Sequence, residues 1–98
     1  MLIGVCRVRL RLPENQSLKG KRSVLKSLVA RLQNKFKVSV AEVADNESWQ
    51  LATIGVACVS NDERHANQVL AAVIDFVRRE RLDAEILDVE TEIIDGLG

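Results

Sequence analysis

Four cations and a serine cluster in the stretch SLKGKRSVLK: Ser17, Lys19, Lys21, Arg22 and Lys26. Residues of these types could bind phosphate at the start of a helix, where unpaired backbone N–H groups supply donors and the side chains supply charge. Ser17 reads as the N-cap. Lys19, Arg22 and Lys26, spaced i, i+3, i+7, share one helix face. A helix start carries partial positive charge, so acids are favoured there and bases repelled. Three cations in the first turn therefore carry a cost that a bound anion would relieve. The expectation is a phosphate or RNA site made by Ser17, Lys19, Lys21, Arg22 and Lys26. The competing reading is a solvated cationic face, or pairing with an acid such as Glu14 or Glu42.

Other chemistry finds little support. Cys6 and Cys58 lie in separate apolar runs, and His65 has no nucleophile or carboxylate partner at a useful spacing. The expectation is therefore two buried free thiols, no metal site, no cofactor and no catalytic residue. Acyl-phosphate hydrolysis would need a glycine-rich loop holding an arginine after the first strand, and LPENQSL offers neither. Base stacking on a sheet needs aromatic side chains, but the chain has only Phe36, Trp49 and Phe76.

The elements that must position these residues follow from periodicity. Residues 2–12 alternate, with Gly4, Cys6, Val8, Leu10 and Leu12 on one face and Ile3, Val5, Arg7, Arg9 and Arg11 on the other. Leu25, Leu28, Val29, Leu32 and Phe36 recur with helical spacing. KVSVAEV (37–43) and WQLATIGVACV (49–59) read as strands joined by the turn ADNES. Ser60-Asn61-Asp62-Glu63 reads as a capping box opening a second helix, with Ala66, Val69, Leu70, Val73 and Val77 as its stripe. Residues 84–94 form a last strand, with Leu87, Val89 and Ile93 on one face and Asp88, Glu90 and Glu92 on the other.

The order β-α-β-β-α-β predicts a single α+β domain over 1–98, a ferredoxin-like sandwich. Its four-stranded antiparallel sheet has order 4-1-3-2 and carries both helices on one face. That order also addresses a charge asymmetry. Residues 1–37 hold ten Lys/Arg and one acid, a net +9, whereas residues 38–98 carry −9, and the whole chain is neutral. With the first and last strands adjacent, Arg7, Arg9 and Arg11 would face Asp88, Glu90 and Glu92 across the helix-free side. The remaining apolar surface there, marked by Ile3, Val5 and Trp49, suggests a homo-oligomer interface. No apolar run approaches the ~20 residues of a membrane span, and MLIGVCRVRLRL lacks the cationic lead of a signal peptide. A cytoplasmic protein without a membrane partner is expected.

SLKGKR (17–22), KVSVAEV (37–43) and WQLATIGVACVS (49–60) resemble the YlxP-like family of small bacterial proteins, a domain of unknown function. Lys19, Lys21, Arg22, Glu42 and Trp49 match its recurrent positions, while ADNES is generic for the hairpin. The resemblance implies a ferredoxin-like fold and a cytoplasmic bacterial protein whose gene often neighbours those of translation and ribosome assembly. It supplies no catalytic residues. The resulting expectation is a non-enzymatic accessory protein that binds structured RNA or ribosomal particles through the basic helix start. The alternative is a homo-oligomeric protein-interaction or small-ligand module using the open sheet face.

Overall fold

The computed structural model describes residues 1–13, 16–80 and 84–97. Its elements are β1 (Leu2–Arg11), α1 (Leu18–Lys35), β2 (Ser39–Ala44), β3 (Leu51–Ser60), α2 (Glu63–Arg79) and β4 (Glu85–Asp95). The sheet order is β2-β3-β1-β4, with every neighbouring pair antiparallel. This is the expected ferredoxin-like sandwich.

The inward residues of β1 and β3 close on the stripes of both helices. Val8, Leu10, Leu28, Leu32, Ile54, Leu70 and Val73 lie at the centre of one continuous aliphatic core. Phe36 and Phe76 meet edge to face beside it, with centroids 5.8 Å apart. Gly55 is dictated by packing on the opposite side of the sheet. A Cβ there would approach Val43 Cγ1 to 2.9 Å, so any larger residue would displace the valine that crosses it.

Four local expectations need correction. Strand β3 begins at Leu51, leaving Trp49 in the bend before it. The N-cap of α2 is Asp62, which accepts from Arg64 N, while Ser60 Oγ accepts from Asp62 N and donates to Asp62 O. A register shift in β4 pairs Arg9 with Asp88 but Leu10 with Ile86. The skipped residue, Leu87, is exposed and Ile86 takes the inward place. The same shift makes Glu85 the partner of Arg11, while Glu92 lies opposite Val5. The expectations for Glu14 and Arg81 fall outside the described residues.

The charge ladder is present in altered form. Arg7 bonds Glu90 directly, and this hydrogen bond, aided by the charges of Glu90 and Asp88, raises the guanidinium pKa. Arg9 faces Asp88 in the register, but its Nε lies 3.5 Å from Asp45 Oδ2.

Both cysteines are buried and free. Desolvation pushes the Cys6 thiol up to about 11 from 9.0, because an apolar surrounding penalises the thiolate. The folded state binds this proton more tightly than the unfolded one. Its contribution to stability is therefore complete below about 9 and lost as the pH rises through about 11. Urea titrations from pH 8 to pH 11 should show stability falling with pH, and Cys6→Ala should flatten that fall. A Cys6→Ala variant with an unaltered slope would contradict the assignment.

Candidate functional site

Ser17 caps α1 as expected: its extended backbone turns the chain, and Oγ accepts from Gly20 N at 3.0 Å. Lys19, Arg22 and Lys26 emerge on the exposed side of the helix. No ion pair joins any of them to an acid among the described residues. The first turn contains no acid.

Lys21 does not join them, which corrects its assignment as a surface phosphate ligand. Its side chain is fully buried. Nζ donates to Asp45 O at 2.7 Å and Leu51 O at 3.1 Å, and reaches Asn46 O at 3.4 Å. Glu42 Oε2 lies 3.0 Å from the same ammonium. This is an ionic contact, and Oε2 itself accepts no hydrogen bond. Lys21 thus places its charge where β2 ends and β3 begins.

The turn is shaped to receive it. Asp45 adopts a left-handed backbone, φ 63°, which short polar residues tolerate. Its carboxylate accepts from Thr53 Oγ1 at 2.6 Å, and its carbonyl also accepts from Ser48 N at 3.0 Å. Ser48 Oγ accepts from Leu51 N. Asp45 therefore joins Lys21 on the helix side of the sheet to Thr53 and Arg9.

A signal for this arrangement existed in the sequence. Lys21 lies four residues before Leu25 on the stripe Lys21, Leu25, Leu28, Leu32, all buried. Glu42 continues in β2 the inward alternation of Val38, just before the strand, and Val40 within it. Two opposite charges interrupting two apolar faces at one end of a sheet imply an internal pair.

The opposite face of the sheet divides into two regions. Toward its Arg end, Arg7, Arg9, Asp45, Thr53, Asp88 and Glu90 line a polar basin of ≈ 310 Å³. Beside it, Val5, Ala41, Val43, Gly55 and Ala57 border an apolar trough of ≈ 350 Å³. Ile3 and Val5 belong to this surface; Trp49 does not adjoin them. Leu51 pairs with Arg11, Ala57 with Val5 and Val59 with Ile3, so the bend holding Trp49 lies beyond the other end of β3, about 20 Å or more from Val5 and about 26 Å or more from Ile3. His65 is exposed in the first turn of α2. No group of three or more His, Cys, Asp or Glu among the described residues is placed to hold a metal ion. No helix among them is long and apolar enough to cross a membrane.

Residues 3–91 match the family described as "Protein of unknown function (DUF503)". The chain belongs to this family. It is 42% identical over 69 residues to the uncharacterized protein YlxP of Bacillus subtilis (strain 168), covering 66% of this chain and 75% of that protein. The fold is similar to that of a dimeric ferredoxin-like protein from an uncultured marine organism. The TM-score is 0.52 at 8% identity, over 96% of each chain. The de novo designed protein Foldit4 aligns with TM-score 0.48 and 12% identity, over 97% of this chain and 98% of the design.

Lys21→Ala should destabilise the fold by about 3–5 kcal/mol in urea denaturation, because it leaves the Glu42 charge and several carbonyls without their partner. Lys19→Ala should stay within about 0.5 kcal/mol of wild type. Equal effects of the two substitutions would contradict this division of the cationic turn.

Proposed function

We propose that this is a non-enzymatic accessory protein that binds structured RNA, of the kind carried by ribosomal particles, through Lys19, Arg22 and Lys26. The observation that carries this reading is electrostatic. From residue 15 to residue 41 the sequence contains no Asp or Glu. Of the helix cations, Lys21 faces Glu42, Arg31 pairs with Glu80, and Lys35 lies 5.2 Å from the Phe76 ring centroid. Lys19, Arg22 and Lys26 are left along about 10 Å of exposed helix, a spread suited to several phosphates rather than one.

Phosphate contacts of this kind position a protein without reading sequence. Phe36 and Phe76 pack against each other, and Trp49 is a single exposed ring, so recognition by shape and backbone fits better than stacking of several splayed bases. Cytoplasmic residence belongs to the same reading.

A second reading, an oligomeric interaction module, is favoured by a separate observation. Val43, Val59 and Ile94 are exposed on the sheet face that carries no helix, and the similar fold from the marine organism is described as dimeric.

Binding to purified ribosomal subunits, measured between about 50 and 200 mM salt, tests the first reading. Lys19→Gln/Arg22→Gln/Lys26→Gln should weaken binding and reduce the slope of log K against log salt by about 2–3. Wild-type affinity and slope in the triple variant would overturn it.

A further inference from the structure

β4 is the outermost strand on one side of the sheet, and among the described residues no strand pairs with its outer edge. Beyond the bulge at Leu87 it runs in unbroken register with β1 from Asp88 to Asp95, about 24 Å of regular edge. In an antiparallel sheet, alternate residues of a strand turn their N–H and C=O groups toward opposite neighbours. Roughly half of this backbone therefore points away from β1, as a template for one more strand. The other edge is poorer: β2 has 6 residues, and its pairing is interrupted at Val43.

Charge decides what can occupy the edge. On the open face β4 presents Asp88, Glu90 and Glu92 in succession, and the strand contains no Lys or Arg. Glu90 is engaged by Arg7. Asp88 faces Arg9 in the register, but Arg9 reaches Asp45, and Glu92 lies opposite Val5. No ion pair engages Asp88 or Glu92 among the described residues. A second copy fits this edge badly. A twofold axis that continues the sheet through β4, centred anywhere from residue 88 to residue 92, sets acid against acid. Like charges directly opposite are destabilising. The carboxylates that exclude the edge's own copy attract a strand of opposite sign.

We propose that the outer edge of β4 takes up an extended basic segment of a partner protein by strand addition. The segment's backbone bonds the outward N–H and C=O groups between Asp88 and Asp95, and lysines or arginines at alternate positions lie beside Asp88, Glu90 and Glu92. Its intervening residues fall beside Val89, Thr91 and Ile93, where small or β-branched side chains suit the half-buried valine and isoleucine. α1 packs against β2 and α2 against β4, so this edge lies across the domain from Lys19, Arg22 and Lys26. The inference is independent of the RNA reading.

The test is fluorescence anisotropy of a labelled, capped peptide of about nine residues, alternating lysine and threonine, titrated with the full chain to ~500 µM in about 50 mM salt. Saturable binding is expected, and hydrogen exchange of β4 amides should slow when the peptide is present. A peptide alternating lysine and proline carries the same charge but cannot form the ladder, and should bind about 10-fold more weakly or worse. Asp88→Asn/Glu92→Gln, with an unchanged circular dichroism spectrum, should also weaken binding about 10-fold. Lys19→Gln/Arg22→Gln/Lys26→Gln should bind the lysine–threonine peptide as wild type does, so the failure of RNA binding and the failure of strand addition are read separately. Absence of binding at ~500 µM overturns the proposal. Equal affinity for the proline peptide, or wild-type affinity in the double variant, does the same. So does protection of β4 amides that rises with protein concentration alone, since a second copy would then hold the edge.

Discussion

The burial of the Lys21 ammonium is the constraint around which the rest of the molecule is arranged. Moving an ammonium out of water costs several kcal/mol, and only a nearly complete set of partners offsets it. Here those partners come from separate places in the chain: Glu42 in β2, Asp45 and Asn46 in the turn, and Leu51 at the start of β3. One side chain from the first turn of α1 thereby fixes the hairpin on which the open face is built. The left-handed Asp45 belongs to this arrangement, because its carbonyl and carboxylate are both engaged in it.

This constraint also divides the molecule's charge. A cationic helix start reads as one group in the sequence, but the fold separates it. Lys21 is internal and structural, whereas Lys19, Arg22 and Lys26 stay in solvent. A similar division runs through β1. Arg7 is engaged by Glu90, and Arg9 reaches Asp45, the residue whose carbonyl receives Lys21. Much of the apparent polarity between the two halves of the chain is thus neutralised within the domain, and the exposed cationic remainder concentrates on α1. The open sheet face is left with an apolar end and a balanced, charged end.

The architecture was legible because local and global signals agree. Strict alternation in β1 and helical spacing in α1 and α2 each have one burial-consistent solution, and the antiparallel order follows from it. The failures have specific physical causes. Leu87 points outward because a bulge in β4 shifts the pleat by one residue, and no composition cue marks that shift. Val43 is likewise skipped in the pairing of β2 with β3, which sets it over Gly55. Trp49 opens the apolar run that reads as the third strand, but the hairpin turn extends past it. By type Lys21 belongs with its cationic sequence neighbours, but its spacing from Leu25 places it on the buried stripe. Position on the helix, more than charge type, decides where this side chain goes.

Native-state acylation of lysine amines, followed by mass spectrometry at each site, most directly tests whether Lys21 is an internal tie. Lys19 and Lys26 should react rapidly, while Lys21 should remain unmodified until the protein unfolds. Acylation of Lys21 in the folded protein at the rate of Lys19 would contradict the account.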